Sequence, residues 1–358
     1  MFETLGLEIS PRAASVWFGL ALGLVFGALA AVTRFCLRRG LVGPAGERRP
    51  ALGLWLVALA AAVVGTQGAV VLGLIDLAGH RFLSPEVPVL AILAGGAMFG
   101  AGMVLARGCA SRLTVLAAGG NLRALSVLVV LALAAHATMK GVLAPLRSAL
   151  ASVTVPLGDF TSLAALPGGA TGIALAGTAA ALWFALRAGT GLRGIAGGVA
   201  IGLLVPLAWI GTGLVLRDDF DPIAVEALAF TGPHADTLFW AIAATAVAPT
   251  FGIGLILGTL AGGAGAEILS GRFAWVSFST PRETGRYLAG GVLMGVGGVL
   301  AGGCTVGAGL SGVSTLSTAA ALALAAIVAG ALATNRLLSA WPAGSGERAT
   351  TPRAQPAA

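Results

Sequence analysis

Long apolar segments separated by short polar stretches recur along almost the whole chain. We interpret nine of these segments as membrane spans, for which about 20 predominantly apolar residues are needed. Their approximate bounds are 14–35, 51–76, 88–106, 123–139, 167–187, 194–216, 238–260, 286–301 and 317–338. The pattern predicts an all-α polytopic membrane protein with about nine transmembrane helices.

Two further segments, 107–118 and 302–316, are glycine-rich and apolar but too short to cross about 30 Å of hydrocarbon. We expect them to be re-entrant or broken helices, which are tolerated where they line a cavity. Because membrane spans pack as one unit, we predict a single transmembrane domain over residues 1–341. The Pro-, Ala- and Thr-rich segment 342–358 is predicted to be a disordered cytoplasmic tail.

Composition and charge agree with a membrane location. The chain is 57% hydrophobic and only 10% charged, whereas soluble domains carry about 25% charged residues. The net charge of +7 comes from arginines in short loops between spans, which indicates membrane topology and not nucleic-acid binding. With the N-terminus outside, 16 of the 21 Lys and Arg residues fall on the inner side. The positive-inside rule therefore predicts an outer N-terminus and a cytoplasmic C-terminus.

An internal repeat links the two glycine-rich regions near 95–118 and 290–316. Gly95–Cys109 reads GGAMFGAGMVLARGC and Gly290–Cys304 reads GGVLMGVGGVLAGGC, with nine of fifteen positions identical at a constant offset of 195. The third span runs inward and the eighth outward in this topology, so we expect an inverted repeat, a common plan of transporters. A weaker echo links residues 34–36 (RFC) with residues 272–274 (RFA).

Three cysteines, Cys36, Cys109 and Cys304, lie beside arginine or glycine at the ends of apolar spans. A cysteine in a membrane helix most often only packs, but two of these occupy equivalent repeat positions, which favours a function. They are too few and scattered for a disulfide framework, and the sequence has no CxxC pair. A neutral thiol is a weak hydrogen-bond donor. It can therefore hold an anion without a charge that would trap it, and its soft sulfur suits a sulfur-bearing anion.

The glycine-rich segments also offer backbone N–H groups for an anion at the start of a half-helix. An added side chain at Gly108 or Gly303 is expected to close this backbone approach, whereas the control Gly258→Ala, in an ordinary span, is expected to do far less harm. The arginines are equally well explained as inner-face topology anchors. No metal or cofactor site is predicted. The candidate supporting residues are Arg107, Gly108, Arg112, Gly302, Gly303, Thr305 and Gly307.

At these segments the chain resembles the YeeE/YedE family of thiosulfate-uptake membrane proteins, over about residues 14–338. The resemblance is carried by residues 34–36 (RFC), 106–112 (ARGCASR), 270–273 (SGRF) and 302–312 (GGCTVGAGLSG). It implies an hourglass-shaped helical protein with inverted halves, in which the three cysteines pass thiosulfate inward. Many relatives have a cysteine where this chain has Ala274. The resemblance also implies a separate cytoplasmic sulfurtransferase of the TusA or rhodanese type as a partner.

We therefore predict a non-enzymatic inner-membrane transporter that takes up thiosulfate. The alternatives are a transporter of another sulfur or selenium species, a membrane thiol oxidoreductase, and a non-transporting subunit that docks a sulfurtransferase. The absence of a CxxC pair argues against the oxidoreductase.

Overall fold

A computed structural model describes residues 10–218 and 221–340, so the predicted tail at 342–358 lies outside the described residues. The described part is built from α-helices with one short antiparallel pair of strands, β1 (Glu86–Val87) and β2 (Val155–Pro156). The helices are α1 (Pro11–Thr33), α2 (Leu37–Val42), α3 (Ala45–Val71), α4 (Val89–Leu105), α5 (Ala110–Ala118), α6 (Leu122–Lys140), α7 (Ala144–Ala151), α8 (Gly169–Arg187), α9 (Gly191–Ile210), α10 (Thr231–Ile242), α11 (Phe251–Leu269), α12 (Pro281–Leu300) and α13 (Thr318–Ala340).

The predicted class, an all-α polytopic membrane protein, is confirmed. Eight helical segments within the described residues are long and apolar enough to cross a membrane. They are Pro11–Val42, Ala45–Val71, Val89–Ala118, Leu122–Lys140, Gly169–Arg187, Gly191–Val215, Phe251–Leu269 and Thr318–Ala340. The predicted span at 286–301 lies within α12, whose first two turns carry Arg282, Glu283 and Arg286 and which is not among these eight.

The predicted span at 238–260 is wrong. This stretch contains the end of α10, a non-helical connection and the first half of α11. Pro249 lies in the connection and Thr250, in an extended conformation, caps α11. Because proline disfavours helical geometry in the residue before it, an apolar run can continue through this point while the helix cannot.

The two glycine-rich segments break as expected. The chain leaves α4 after Leu105 and re-forms a helix at Ala110, giving the nine-residue α5. It leaves α12 after Leu300 and continues in a π-helical turn, Gly307–Gly312, before α13 begins. In both cases a cysteine lies in the break.

Helices α1 and α11 run side by side in the same direction with their backbones in contact. A Cβ added at Gly23 would lie 2.2 Å from the Leu255 carbonyl oxygen, and one at Gly258 would lie 2.1 Å from the Leu20 carbonyl oxygen. Small residues allow such close approach of membrane helices, which gain stability from van der Waals packing. The glycines along this contact are Gly19, Gly23 and Gly27 on α1, and Gly254, Gly258 and Gly262 on α11.

The helices that precede the two chain breaks, α4 and α12, pack against each other in opposite directions. Gly95 faces Ala301, whereas Gly102 faces Gly290, so residue numbers rise along one helix as they fall along the other. Each of these two helices also has a flanking helix that runs alongside it in the same direction: α13 lies against α4, and α6 lies against α12. The breaks after α4 and α12 are thereby brought into the interior of one bundle.

Gly258 is a poor choice of control, because its Cβ position is filled by the backbone of α1 and it therefore does not lie in an ordinary, unconstrained span. We expect Gly258→Ala to lower the free energy of unfolding by about 1–3 kcal/mol, the usual cost of overpacking. Gly265, on the same helix, is the matched control, since a Cβ there would meet nothing within 4 Å. Thermal unfolding of the two variants in detergent measures the difference, and equal melting temperatures would contradict this description of the interface.

Candidate functional site: a buried row of three thiols

The three cysteines share one local backbone feature. Each lies two residues after a residue in the left-handed region of φ, at the end of a long helix. Such a residue ends a helix and redirects the chain. Arginine in this conformation is uncommon and is held there by the surrounding structure. The three pairs are Arg34 (φ 54°) before Cys36, Arg107 (φ 57°) before Cys109, and Gly302 (φ 76°) before Cys304.

The structure brings all three cysteines together in the interior. Their exposed fractions are 5% for Cys36, 1% for Cys109 and 0% for Cys304, and all three are free thiols. The Cys109 thiol interacts with the Cys36 thiol and with the Thr305 hydroxyl, next in sequence to Cys304. Its sulfur also lies 3.5 Å from the Ser111 hydroxyl oxygen. A row of polar groups therefore runs from Cys36 through Cys109 and Thr305 to Cys304.

Cys304 is held by backbone N–H groups. Its sulfur accepts a hydrogen bond from the Gly307 N–H at 3.3 Å and also interacts with the backbone of Val306 and Phe230. The π-helical turn that follows, Gly307–Gly312, is buried along its whole length. The N–H groups proposed from sequence as an anion nest are thus directed at this thiol.

A cluster of three phenylalanine rings lies next to the thiol row, and two of its members are separated by the same 195 positions as the two repeat copies. The ring of Phe26 lies 6.3 Å from that of Phe35 and 5.1 Å from that of Phe230, measured between centroids. Phe35 and Phe230 differ by 195 positions, as do Cys36 and Thr231. Thr231 is 3% exposed, and its hydroxyl has no hydrogen-bond partner among the described residues. Sequence reasoning missed Thr231, although the constant offset of 195 could have identified it.

The weaker echo between residues 34–36 and 272–274 does not place Ala274 in this row. Ala274 is exposed, and its N–H donates to the carbonyl oxygen of Gly119. The helices that precede the two triplets, α1 and α11, lie parallel, whereas α4 and α12 lie antiparallel. The weaker match, between residues 34–36 and 272–274, therefore relates parallel helices, whereas the longer match, between 95–109 and 290–304, relates antiparallel helices.

The predicted supporting residues divide into buried and exposed groups. Thr305 is buried beside Cys109, and Arg112 is half-buried with its Nη1 atom lacking a partner among the described residues. Arg107 is exposed. A Cβ at Gly303 would lie 2.6 Å from the Ala308 nitrogen, while one at Gly108 would meet side chains alone, that of Leu113 at 3.0 Å and that of Arg112 at 3.8 Å. The restriction on side chains is therefore strict at Gly303 and milder at Gly108.

A cavity of about 650 Å³ lies beside the Cys304 end of the row and is lined by Gly307 and Ser311. Trp209 also lines it, and its indole Nε1 has no partner among the described residues. The His80 ring packs edge-on against Trp209 with centroids 5.0 Å apart. Burial, followed by the nearby Arg81 guanidinium, lowers the pKa of His80 to about 4, so the ring is neutral at pH 7.

The eight candidate spans in the described residues identify a multi-pass membrane protein, with the three free thiols buried in its interior. The chain belongs to the Sulphur transport family, the YeeE/YedE family, whose model matches residues 32–333. The predicted resemblance is confirmed, and the matched range contains all three cysteines. The protein is therefore a sulfur-related transporter. No curated protein matches the chain.

The unequal space at the two repeat glycines predicts unequal variants. We expect Gly303→Val to abolish transport, because its side chain must displace the backbone that holds Cys304. Gly108→Val should reduce transport less, because the Leu113 side chain can move. Uptake of radiolabelled thiosulfate, normalised to folded protein, measures both. Gly285→Val is the control on α12, since a Cβ there meets nothing within 4 Å. Equal effects at Gly303 and Gly285 would refute this ranking.

Proposed function

We propose that this protein takes up thiosulfate through a path lined by Cys36, Cys109 and Cys304. The observation that carries the proposal is the row itself, since cysteines up to 268 positions apart in sequence lie in one connected line of polar groups. The row lies between helices of both repeat copies, which we interpret as inverted halves. Transport sites of inverted-repeat proteins commonly lie at such an interface, on discontinuous helices.

Neutral thiols suit the passage of a doubly charged anion. Two unit charges 4 Å apart attract by about 4 kcal/mol at an effective dielectric constant of 20, and a divalent anion doubles that figure. Arginines along the whole enclosed path would therefore hold thiosulfate too long at each step for rapid flow, whereas an arginine site at a solvent-connected end of the path would not block the steps before it. A neutral hydrogen bond contributes only about 0.5–1.5 kcal/mol net, so each thiol can bind and release. The terminal sulfur of thiosulfate is soft, as is the cysteine sulfur.

The surroundings of the row support a direction of transport. The cavity beside Cys304, of about 650 Å³, is large enough to admit a small anion, and besides the neutral His80 it is lined by four ionisable residues, Asp76, Arg81, Glu226 and Asp236. Burial raises the pKa of the Glu226 and Asp236 carboxyl groups, which favours their uncharged forms. The Cys36 end is surrounded by arginines. With the N-terminus outside, as the distribution of basic residues favours, the cavity is the outer entrance and the arginines lie on the cytoplasmic side of the inner membrane. A separate cytoplasmic sulfurtransferase of the TusA or rhodanese type is the proposed recipient.

One observation favours a second candidate, a membrane thiol oxidoreductase. The adjacent free thiols of Cys36 and Cys109 could form a dithiol–disulfide couple. A reproducible disulfide between these two residues that changes with added reductant, together with absence of thiosulfate uptake, would favour this candidate. Uptake by fully reduced protein would favour the transporter.

The proposed row makes a specific prediction for the cysteines. Replacing any one of Cys36, Cys109 and Cys304 by alanine should lower thiosulfate uptake into liposomes by at least about tenfold, because a break in the row costs at least one hydrogen bond of about 1 kcal/mol and leaves its neighbours unpaired. Serine should restore only part of the activity, since it keeps a donor but removes the soft sulfur. Normal uptake by all three alanine variants would make the cysteines packing residues.

The orientation makes a separate prediction. Gly46 and Gly79 are exposed, and a Cβ at either position meets nothing within 4 Å, so each accepts an engineered cysteine. A membrane-impermeant maleimide added to intact cells should label Gly79→Cys and leave Gly46→Cys unlabelled, because the proposed orientation places residue 79 outside and residue 46 in the cytoplasm. The native thiols are buried and should add little background labelling. Inside-out vesicles should give the reverse. Labelling of Gly46→Cys in intact cells would overturn the orientation.

A further inference from the structure

The arginines near the Cys36 end of the row fall into two groups. Three of them form ion pairs: Arg39 with Glu47 at 2.7 Å, Arg123 with Glu283 at 2.6 Å, and Arg272 with Glu267 at 3.0 Å. Three others have a buried guanidinium nitrogen without a hydrogen-bond partner among the described residues. These nitrogens are Nε of Arg38, Nη1 of Arg112 and Nε of Arg286.

The three unpartnered arginines come from different elements; two of them interact with the Cys36 thiol, and the third interacts with one of those two. Arg38 lies on α2, two residues after Cys36, and interacts electrostatically with Cys36 and with Arg286 on α12. Arg112 lies on α5 and interacts electrostatically with both Cys36 and Cys109. The packing of α2, α5 and α12 therefore gathers three cationic side chains around the Cys36 end of the row.

Such an arrangement is unfavourable unless an anion completes it. A buried guanidinium nitrogen that lacks an acceptor loses hydration without replacement, and nearby like charges repel one another. Glu267 interacts electrostatically with Arg112 but is paired with Arg272 at 3.0 Å, and Glu283, on the same helix as Arg286, is paired with Arg123 at 2.6 Å. An arginine that only sets the topology does not require this burial, since Arg49, near the start of α3, is exposed to solvent. The missing partner is therefore an acceptor that the described part of the chain does not supply.

We propose that Arg38, Arg112 and Arg286 form a binding site for one divalent oxyanion at the Cys36 end of the row. Guanidinium groups bind oxyanions through paired N–H donors, and three of them match a tetrahedral group with several acceptor oxygens. The proposal deepens the proposed function, on which it rests, by placing there a holding site for thiosulfate after it has passed the neutral thiols. Exposed Arg107 lies at the edge of this cluster and connects it to solvent.

The same chemistry could be satisfied by the phosphate of an anionic lipid headgroup, so the test separates the two sources. Thiosulfate is titrated into purified protein in a neutral detergent, and binding is followed by the shift in melting temperature. We expect thiosulfate to stabilise the protein, and Arg38→Gln or Arg286→Gln to weaken binding at least about tenfold. Arg39→Gln, whose guanidinium pairs with Glu47, is the matched control and should bind normally.

Two outcomes would overturn the site. One is normal thiosulfate binding by folded Arg38→Gln, Arg112→Gln and Arg286→Gln variants. The other is stabilisation by phosphatidylglycerol nanodiscs, relative to phosphatidylcholine nanodiscs, with no effect of thiosulfate in detergent. If a glutamine variant fails to fold, Arg38→Lys keeps the charge but loses the paired donors, and should bind more weakly than the wild type. Unchanged binding by a folded Arg38→Lys variant would also count against the site.

Uptake measured in parallel keeps this proposal separate from the transport proposal. Wild-type uptake with unchanged binding in the arginine variants would reject the site and retain the transporter. Arginine-dependent binding without any wild-type uptake would retain the site and reject the transporter.

Discussion

Direct contact between helix backbones is the interaction on which the rest of this structure depends. Along α1 and α11, and again between α4 and α12, glycines allow one helix to touch the carbonyl groups of the other. Helices that approach so closely leave little space for long side chains between them. The space directly between these helices therefore accommodates small polar groups, such as thiols and hydroxyls, more readily than guanidinium groups. The breaks after α4 and α12 place two of the cysteines in this confined interior.

The distribution of charge follows from the same constraint. Arginines with buried nitrogens that lack a hydrogen-bond partner in the described part of the chain gather at the Cys36 end of the thiol row. An anion in the row meets weak donors, and an anion at the end meets strong ones. In the proposed account this difference favours occupancy of the Cys36 end without trapping the anion along the path. Net movement still follows the concentrations on the two sides, since binding sites alone do not drive transport.

Much of the fold could be predicted from the sequence, because apolar spans and repeated glycines are local signals. The breaks at Cys109 and Cys304 were predictable, since the glycines of the repeat mark them directly. The failed span at 238–260 shows the limit of hydropathy, which does not register that Pro249 interrupts the helix. Gly258 shows another limit, because a glycine in an apolar run does not disclose which neighbouring helix touches it.

The candidate site was predictable only in part, because its members meet through tertiary packing. Cys36 lies outside the internal repeat formed by residues 95–109 and 290–304, and only the structure places its thiol against the Cys109 thiol. In the sequence, Arg38 and Arg286 are not distinguishable from the other basic residues on the inner side. What distinguishes them from Arg39, which pairs with Glu47, is a buried Nε without a hydrogen-bond partner among the described residues, and this depends on how separate elements pack.

The most direct test of the central claim, that thiosulfate passes along the thiol row, uses the unmodified protein alone in liposomes. Uptake of radiolabelled thiosulfate is measured before and after alkylation with a small membrane-permeant maleimide, and the extent of reaction at Cys36, Cys109 and Cys304 is determined by mass spectrometry. The account predicts uptake by the untreated protein that falls in proportion to alkylation of these cysteines. Absence of uptake, or full uptake after complete alkylation of all three, would contradict it.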